Sequence, residues 1–126
     1  MKKIIETPNA PAPIGPYSQA VLFDNTLYSS GQIAINPATG ELVSEDISKE
    51  TMQVMKNIGA VLEEAGMTYE HVLKTTIFIK NMDDFQKINA VYGSFFNEAS
   101  APARETVEVA RLPKDDNVEI SVLARK

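Results

Sequence analysis

The chain has no cysteine and one histidine, His71, among its 126 residues. The lack of cysteine excludes disulfides, a thiol nucleophile and thiolate metal sites. A single histidine excludes metal sites built from several histidines and argues against a Ser-His-acid triad. The acidic pairs along the chain do not have the spacing of a calcium loop. The sequence therefore predicts no metal site.

Basic residues are the minority, with 12 lysines and arginines against 17 acidic residues and a net charge of −5. Nucleic acids and anionic membranes select basic surfaces, so we expect neither as a partner. The first residues lack an apolar stretch of signal-peptide length, and no run approaches the length of a membrane span. The expectation is a soluble cytoplasmic protein.

The length suits one domain, residues 1–126, with a core that needs no covalent staples. Hydrophobic periodicity predicts an α+β chain in the order β-β-β-α-β-α-β-β. The first helix is expected to follow a cap at Ser48 and to end at Gly66; the second follows Asp83 or Asp84. The predicted strands are residues 2–6, 19–23, 26–35, 72–80, 104–109 and 118–122.

Two helices are too few to cover both faces of a six-stranded sheet. We therefore expect them to pack on one face. The other face then needs a partner, and the simplest partner is another copy of the chain.

The last quarter of the chain carries the strongest candidates for chemistry. Its alternation predicts that Arg104, Thr106, Glu119 and Ser121 all lie on faces away from the aliphatic core. A guanidinium and a carboxylate held on rigid strands could bind a small carboxylate substrate and a water. Surface ion pairs are the simpler explanation for either residue, and other glutamates nearby compete for the same role.

Weaker candidates lie earlier in the chain. Tyr17 ends a stiff proline-rich loop and could wall a pocket, although simple packing explains it equally well. Ser30 and Gly31 interrupt an apolar strand, which indicates either a close backbone approach or a bulge. The apolar stripe of the second helix begins at Phe85. Asn89 borders this stripe, but by itself it does not indicate a function.

Several segments together have the order and spacing of a known family. They are IGPYSQA at 14–20, YSSGQI at 28–33, VLEEAG at 61–66, TIFIKNMDDF at 76–85, INAVYGSFF at 88–96 and PAR…VEVARLPKD…VEI at 102–120. In this respect the chain resembles the reactive intermediate deaminase (Rid, RidA/YjgF) family over essentially its whole length. The resemblance implies a chorismate-mutase-like fold, a mixed six-stranded sheet with two helices on one face. It also implies a homotrimer with its sheets inward and three clefts between neighbouring subunits.

The resemblance further implies an activity without a cofactor. Family members hydrolyse 2-imino acids and their enamine tautomers, such as 2-iminobutanoate and 2-iminopropanoate, to 2-oxo acids and ammonia. Arg104 matches the arginine that binds the substrate carboxylate, and Glu119 matches the glutamate that positions water. The residues that match cleft-lining positions are Tyr17, Ser30, Gly31, Phe85 and Asn89.

The chain departs from the family after this arginine. Thr106 replaces a frequent cysteine, which removes thiol chemistry there, and it is expected to point with Arg104 into the cleft. Glu105 is expected to face the helices or a subunit edge. Three other functions stay open: a non-enzymatic trimer that senses a 2-oxo acid and regulates a partner, RNA cleavage, and a pathway-specific deaminase. The acidic charge argues against RNA.

Overall fold

The computed structural model describes all 126 residues as one mixed sheet with two helices. The spatial order of strands is β1-β2-β3-β6-β4-β5, with β4 and β5 parallel and all other neighbours antiparallel. Neither helix is long and apolar enough to cross a membrane. The predicted class and order are confirmed. The elements are β1 (Lys3–Ile5), β2 (Ala20–Phe23), β3 (Thr26–Ser29), α1 (Ile47–Glu64), β4 (Val72–Ile79), α2 (Phe85–Gly93), β5 (Ala103–Glu108) and β6 (Val118–Arg125).

A two-residue turn of Asp24 and Asn25 joins β2 to β3. Both residues have positive φ values, 51° and 66°. A type I′ hairpin requires this backbone, which aspartate and asparagine tolerate better than most residues. The turn sets a register in which Phe23 lies opposite Thr26.

β3 ends at Ser29, although the alternation predicts a strand that continues to residue 35. Beyond Ser29, only Gln32 pairs with a strand, which is β6. The buried Asn57 side chain of α1 instead donates to the Ile33 and Ile35 carbonyls at 3.0 and 2.9 Å. The prediction was wrong because sequence spacing does not show when a helix side chain replaces a strand as the hydrogen-bond partner.

α1 begins at Ile47, before the predicted cap Ser48. Asp46 has an extended backbone, and its carboxylate accepts the Lys49 N–H at 2.8 Å. Asp46 is therefore the N-cap, because this side chain satisfies a free amide of the first turn. Gly66 has a φ of 73° and closes the other end of the helix, as predicted.

α2 ends at Gly93, so the predicted apolar stripe, which runs to Phe96, extends beyond the helix. Asp84 precedes the helix but makes no capping hydrogen bond. Asn81 instead caps the short 3₁₀ turn before α2 by accepting the Asp83 N–H at 2.9 Å. Asparagine and aspartate are both good caps, so composition alone did not separate them.

Both helices pack on one face of the sheet, as predicted. Fully buried residues of that face, such as Leu27, Ile77 and Ile120, join the helix side chains in one apolar cluster. The opposite face, called the open face below, leaves Ile4 and Tyr28 at 48% and 50% exposure. Large apolar side chains exposed on a sheet face are typical of an interface.

Arg104 and Thr106 lie on the helix-covered face, contrary to the prediction. Cross-strand partners point to the same side of a sheet, and these two residues pair with Thr75 and Ile77 of β4. Thr75 is 1% exposed and shares a hydrogen bond of 2.8 Å with Tyr92 of α2. This whole row of side chains therefore points towards α2.

Glu119 and Ser121 lie on the open face, as predicted. They alternate with Ile120 and Val122, which are buried beneath the helices. Arg104 and Glu119 therefore lie on opposite faces of the sheet. On each strand, the alternation correctly separated the side chains of one face from those of the other. On the edge strand β5, however, both sets contain polar residues, so the pattern could not show which set faces the core.

Gln19 fixes the proline-rich segment 7–16 against the sheet. Its side chain is 2% exposed and accepts the Thr7 N–H at 2.7 Å. Its amide nitrogen lies 3.1, 3.2 and 2.9 Å from the carbonyl oxygens of Thr7, Ala10 and Pro11, to which it donates. One side chain thus satisfies the backbone of a segment that has few donors of its own.

The substitution Gln19→Leu is expected to lower the free energy of unfolding by about 2–4 kcal/mol, because a buried N–H and several carbonyls lose their partner. Urea unfolding measures this change. The matched control Gln86→Leu, at an exposed position of α2, is expected to change stability by less than about 0.5 kcal/mol. Equal losses in the two variants would contradict the role given to Gln19.

Candidate active site

A cavity of about 440 Å³ opens beside Glu119 and is called the Glu119 cavity below. Four of the predicted site residues line it together, although they come from three separate parts of the chain. These are Tyr17, Ser30, Gly31 and Glu119. The rest of the lining consists of Pro11, Ala12, Ile14, Gln19, Gln32, Ile33, Ile35, Pro113 and Lys114.

The Glu119 side chain packs directly on the backbone of Gly31. A Cβ atom added to Gly31 would lie 2.5 Å from Glu119 Oε2 and 2.6 Å from its Cδ. A larger residue at this position would therefore force the Glu119 side chain to move. Burial raises the pKa of the Glu119 carboxyl above its ordinary value, and no neighbouring charge or hydrogen bond offsets that effect.

Ser30 and Tyr17 are each held by a short hydrogen bond to a backbone carbonyl. The Ser30 hydroxyl donates to the Ser18 carbonyl at 2.6 Å, which leaves its oxygen free to accept a hydrogen bond from a ligand. The Tyr17 N–H donates to the Gly15 carbonyl at 2.9 Å, and the residue is 52% exposed. A half-exposed ring at the edge of a cavity can cover a bound molecule.

Sequence reasoning did not single out Lys114, which also lines this cavity. Lys114 and Asp115 have left-handed backbones, with φ values of 57° and 56°. Such strain is unusual away from glycine and is often found near functional sites. A lysine in a polar loop is ordinarily a solvated residue, so no sequence signal distinguished it. Ile33 and Ile35, which form the apolar wall, were assigned to a strand.

Arg104 lies in a second cavity of about 590 Å³, on the α2 side of the sheet, called the Arg104 cleft below. Its guanidinium donates to Asn89 Oδ1. It also lies over the rings of Phe85 and Tyr92, at 5.4 and 5.2 Å from their centroids. These contacts orient the planar guanidinium, which can bind a carboxylate through two parallel hydrogen bonds. The structure thus brings three of the predicted residues together.

Thr106 shares a face with Arg104 but lines a different cavity, beside Phe85. Its hydroxyl oxygen is buried and has no hydrogen-bond partner. Glu105 does not face the helices. It lies on the open face and forms an ion pair with Lys74, with 2.8 Å between Oε1 and Nζ, and both side chains are about half exposed.

Apart from Thr106, which lines a third cavity, the predicted site residues form two groups, one around Glu119 and one around Arg104, and these lie in different cavities. An oriented guanidinium binds a carboxylate, and a desolvated carboxyl keeps its proton to a higher pH than an exposed one. No three carboxylates or imidazoles are close enough to bind a metal ion. Together, the fold and the two cavities define a class: a mixed α+β protein with an oriented guanidinium in one cavity and a desolvated carboxyl in the other.

Comparison with known proteins identifies the family. The family model described as endoribonuclease L-PSP matches residues 7–126. The chain belongs to this family, the Rid/YjgF family, which its motifs predicted.

Individual relatives match this chain over nearly its full length. The chain is 48% identical to the 2-iminobutanoate/2-iminopropanoate deaminase of Escherichia coli K12, with 98% of each chain covered. A crystal structure of YyfA from Yersinia pestis, a Rid-family protein of unknown function, has a TM-score of 0.97 and 54% identity over 100% of both chains. The crystal structure of E. coli TdcF with bound serine has a TM-score of 0.93 and 42% identity, covering 98% of each chain.

The close packing at Gly31 generates a test. In Gly31→Ala the new methyl group is expected to push the Glu119 carboxylate towards solvent, so the pKa of Glu119 falls towards its ordinary value. Carboxyl ¹³C NMR titration measures that pKa. Gly93→Ala is the matched control, because nothing lies within 4 Å of a Cβ added there. An unchanged pKa of Glu119 in Gly31→Ala would contradict the packing described here.

Proposed function

We propose that this protein hydrolyses 2-imino acids such as 2-iminobutanoate and 2-iminopropanoate, and their enamine tautomers, to 2-oxo acids and ammonia. The observation that carries the proposal is the oriented guanidinium of Arg104 together with the desolvated carboxyl of Glu119. Similarity to a deaminase of that name over almost the whole chain supports it. The reaction needs no cofactor, and we place it in the cytoplasm, where amino-acid metabolism supplies such imines.

Arg104 binds the substrate carboxylate in this mechanism. The carboxylate replaces part of the solvent around the guanidinium, while Asn89 and the two aromatic rings keep the guanidinium plane in place. A substrate fixed by two parallel hydrogen bonds has its C2 atom at a defined distance and angle from the other groups. Orientation of this kind contributes much of the rate when the reacting carbon is already electrophilic.

Glu119 acts on the water. As a carboxylate it takes a proton from water while the oxygen bonds to C2 of the protonated imine, which gives a carbinolamine. It then returns that proton to the amino group, and the C–N bond breaks with loss of ammonia. The hydroxyl oxygen becomes the 2-oxo group as its proton passes to the Glu119 carboxylate and from there to the released ammonia, which leaves as ammonium. The raised pKa of Glu119 suits the first step, because it makes the carboxylate a stronger base towards water.

Both groups act on one substrate only when two copies of the chain meet, because Arg104 and Glu119 lie on opposite faces of the sheet. We propose a homotrimer in which the Glu119 cavity of one copy is completed by Arg104 of the next. The half-exposed apolar residues of the open face, including Ile4 and Tyr28, support burial against another copy.

The alternatives differ in what Glu119 does. A non-enzymatic sensor of 2-oxo acids would need Arg104 but not a proton-transferring glutamate. Cleavage of RNA, which the family description suggests, fits poorly with a net charge of −5. A pathway-specific deaminase would share the mechanism and differ only in the side chain that the cavity accepts.

Arg104→Ala is expected to lower kcat/KM by about 100-fold or more, because the substrate carboxylate loses a charged, two-point contact. The assay generates 2-iminobutanoate with an amino-acid dehydratase and follows its capture by semicarbazide. Arg111→Ala removes an exposed arginine that pairs only with Asp115, and it is expected to keep activity within about twofold. Wild-type activity in Arg104→Ala would refute the assignment.

Glu119→Gln is expected to lower kcat by about 100-fold or more, while the dissociation constant for 2-oxobutanoate changes by less than about threefold. In the pH profile of wild-type kcat, the midpoint of the acid limb is expected to lie above about pH 4.3, the ordinary pKa of glutamate. In the variant this limb is expected to be absent. The same assay and calorimetric titration measure the two quantities. Equal loss of turnover and binding would indicate a structural role instead.

A further inference from the structure

Two carboxyl groups that the proposed reaction does not use are buried side by side. Glu50 of α1 is 2% exposed, and Asp116, in the turn before β6, is fully buried. The ion pairs of the chain involve other residues, so no lysine or arginine neutralises either group. Two buried carboxylates without a cation repel each other strongly, and such pairs relieve the repulsion by sharing a proton.

The pair joins three separate parts of the fold. Asp116 Oδ2 accepts the Ala34 N–H at 3.0 Å, and its Oδ1 accepts the Asn117 N–H at 2.9 Å. Glu50 Oε1 accepts the side-chain amide of Asn117 at 2.8 Å. Helix α1, the segment after β3 and the turn before β6 are therefore held together at one buried point.

Two of these parts are walls of the Glu119 cavity. The turn before β6 carries Lys114, two residues before Asp116, and Ala34 lies between Ile33 and Ile35, the apolar wall. Asp116 contacts both walls at once. A change in the charge of Asp116 would therefore affect both walls. It would act on the apolar wall through the hydrogen bond from Ala34, and on Lys114 through the backbone of Lys114 and Asp115, which has positive φ values.

We propose that Glu50 and Asp116 form a pH-dependent positioning clamp for the Glu119 cavity. With one proton shared between them, the pair holds the Lys114 turn against α1. When both carboxyls are ionised, their repulsion loosens the turn and weakens binding in the cavity. The clamp deepens the proposed function. It depends on that proposal in one respect, which is that the Glu119 cavity is the substrate site.

The surroundings of Asp116 fix the direction of the effect. Burial raises the pKa of Asp116 to about 7; the hydrogen bond and charge of Glu50 add to the rise, and the N–H groups of Ala34 and Asn117 oppose it. From the end of β4, the Lys80 N–H donates to the Asn117 carbonyl, and its ammonium acts on Asp115, the ion-pair partner of Arg111.

The sign of the pH dependence follows. The unfolded chain releases the Asp116 proton near the ordinary aspartate value, whereas the folded chain keeps it to about pH 7. The clamp's contribution to stability is therefore complete at acidic pH, declines as the pH rises, and is lost above about pH 7.

Backbone amide NMR of the wild-type protein tests the clamp without relying on activity. The amides of Ala34 and Asn117, which donate to Asp116, are expected to titrate with a common midpoint near pH 7. The Lys114 amide is expected to follow the same curve. The proposal is overturned if the two donor amides do not titrate between about pH 5 and about pH 9, or if Lys114 does not follow them.

Glu50→Gln separates the clamp from ordinary pH effects. The glutamine amide can donate to ionised Asp116 while its oxygen still accepts from Asn117, so the clamp stays closed at every pH. In wild type the dissociation constant for 2-oxobutanoate is expected to rise about fivefold or more between about pH 6 and about pH 8.5; in Glu50→Gln it changes less than about twofold. Glu64→Gln, on the exposed side of α1, is the matched control and should titrate as wild type does.

The two failures are distinguishable. If wild type binds no 2-oxobutanoate at any pH, the proposed function fails, and the amide titrations still decide the clamp. If binding is present but Glu50→Gln and wild type have the same pH profile, the clamp is overturned and the proposed function stands. Should Glu50→Gln not fold, Asp116→Asn replaces it, with loss of the titration near pH 7 as the expected result.

Discussion

Side chains along a β-strand alternate between two faces, and in this chain that constraint separates the arginine from the glutamate. Arg104 is in register with Thr75 beneath the helices, while Glu119 alternates with buried Ile120 and faces the other way. One sheet cannot present both groups to one small molecule. The account of function therefore depends on a second copy of the chain, and the exposed apolar residues of the open face, such as Ile4 and Tyr28, suit contact with that copy.

Desolvation then gives two carboxyls different roles. Glu119 lies on Gly31, beside an open cavity, with no hydrogen bond or charge to compensate burial, which suits a group that exchanges protons with water. Asp116 is also buried, but it accepts two backbone N–H groups and lies beside Glu50. Loss of the Asp116 proton would change the hydrogen bonds that hold backbone segments in place, which suits a structural role. In the proposed account, the same physical cause therefore serves chemistry at one site and positioning at the other.

Much of the fold could be predicted from the sequence, because the signals were local. The hairpin at Asp24 and Asn25 follows from the backbone preferences of those residues, and Gly66 ends α1 for a similar reason. What could not be predicted depended on tertiary contacts. Asn57 replaced a strand partner for the segment after β3, and α2 covered the face of β5 that carries Arg104.

In the candidate site, too, some features could be predicted from the sequence and others depended on tertiary contacts. The family resemblance assigned Tyr17, Ser30, Gly31, Phe85 and Asn89 to one cleft with Arg104 and Glu119. Within one chain the structure places only Tyr17, Ser30 and Gly31 in the cavity of Glu119. Lys114 was missed because its left-handed backbone has no signature in a lysine. The partner of Glu105 was missed because Lys74 lies on another strand, and its pairing depends on the parallel register of β4 and β5.

The most direct test of the shared site is subunit complementation. Arg104→Ala and Glu119→Gln chains, each inactive alone, are unfolded together, refolded as a mixture and assayed for imine hydrolysis. If each site takes its arginine from one copy and its glutamate from the next, random mixing restores about a quarter of the wild-type activity, because one site in about four then has both groups intact. If the mixture is no more active than the separate variants, both groups act within one chain and the account is wrong.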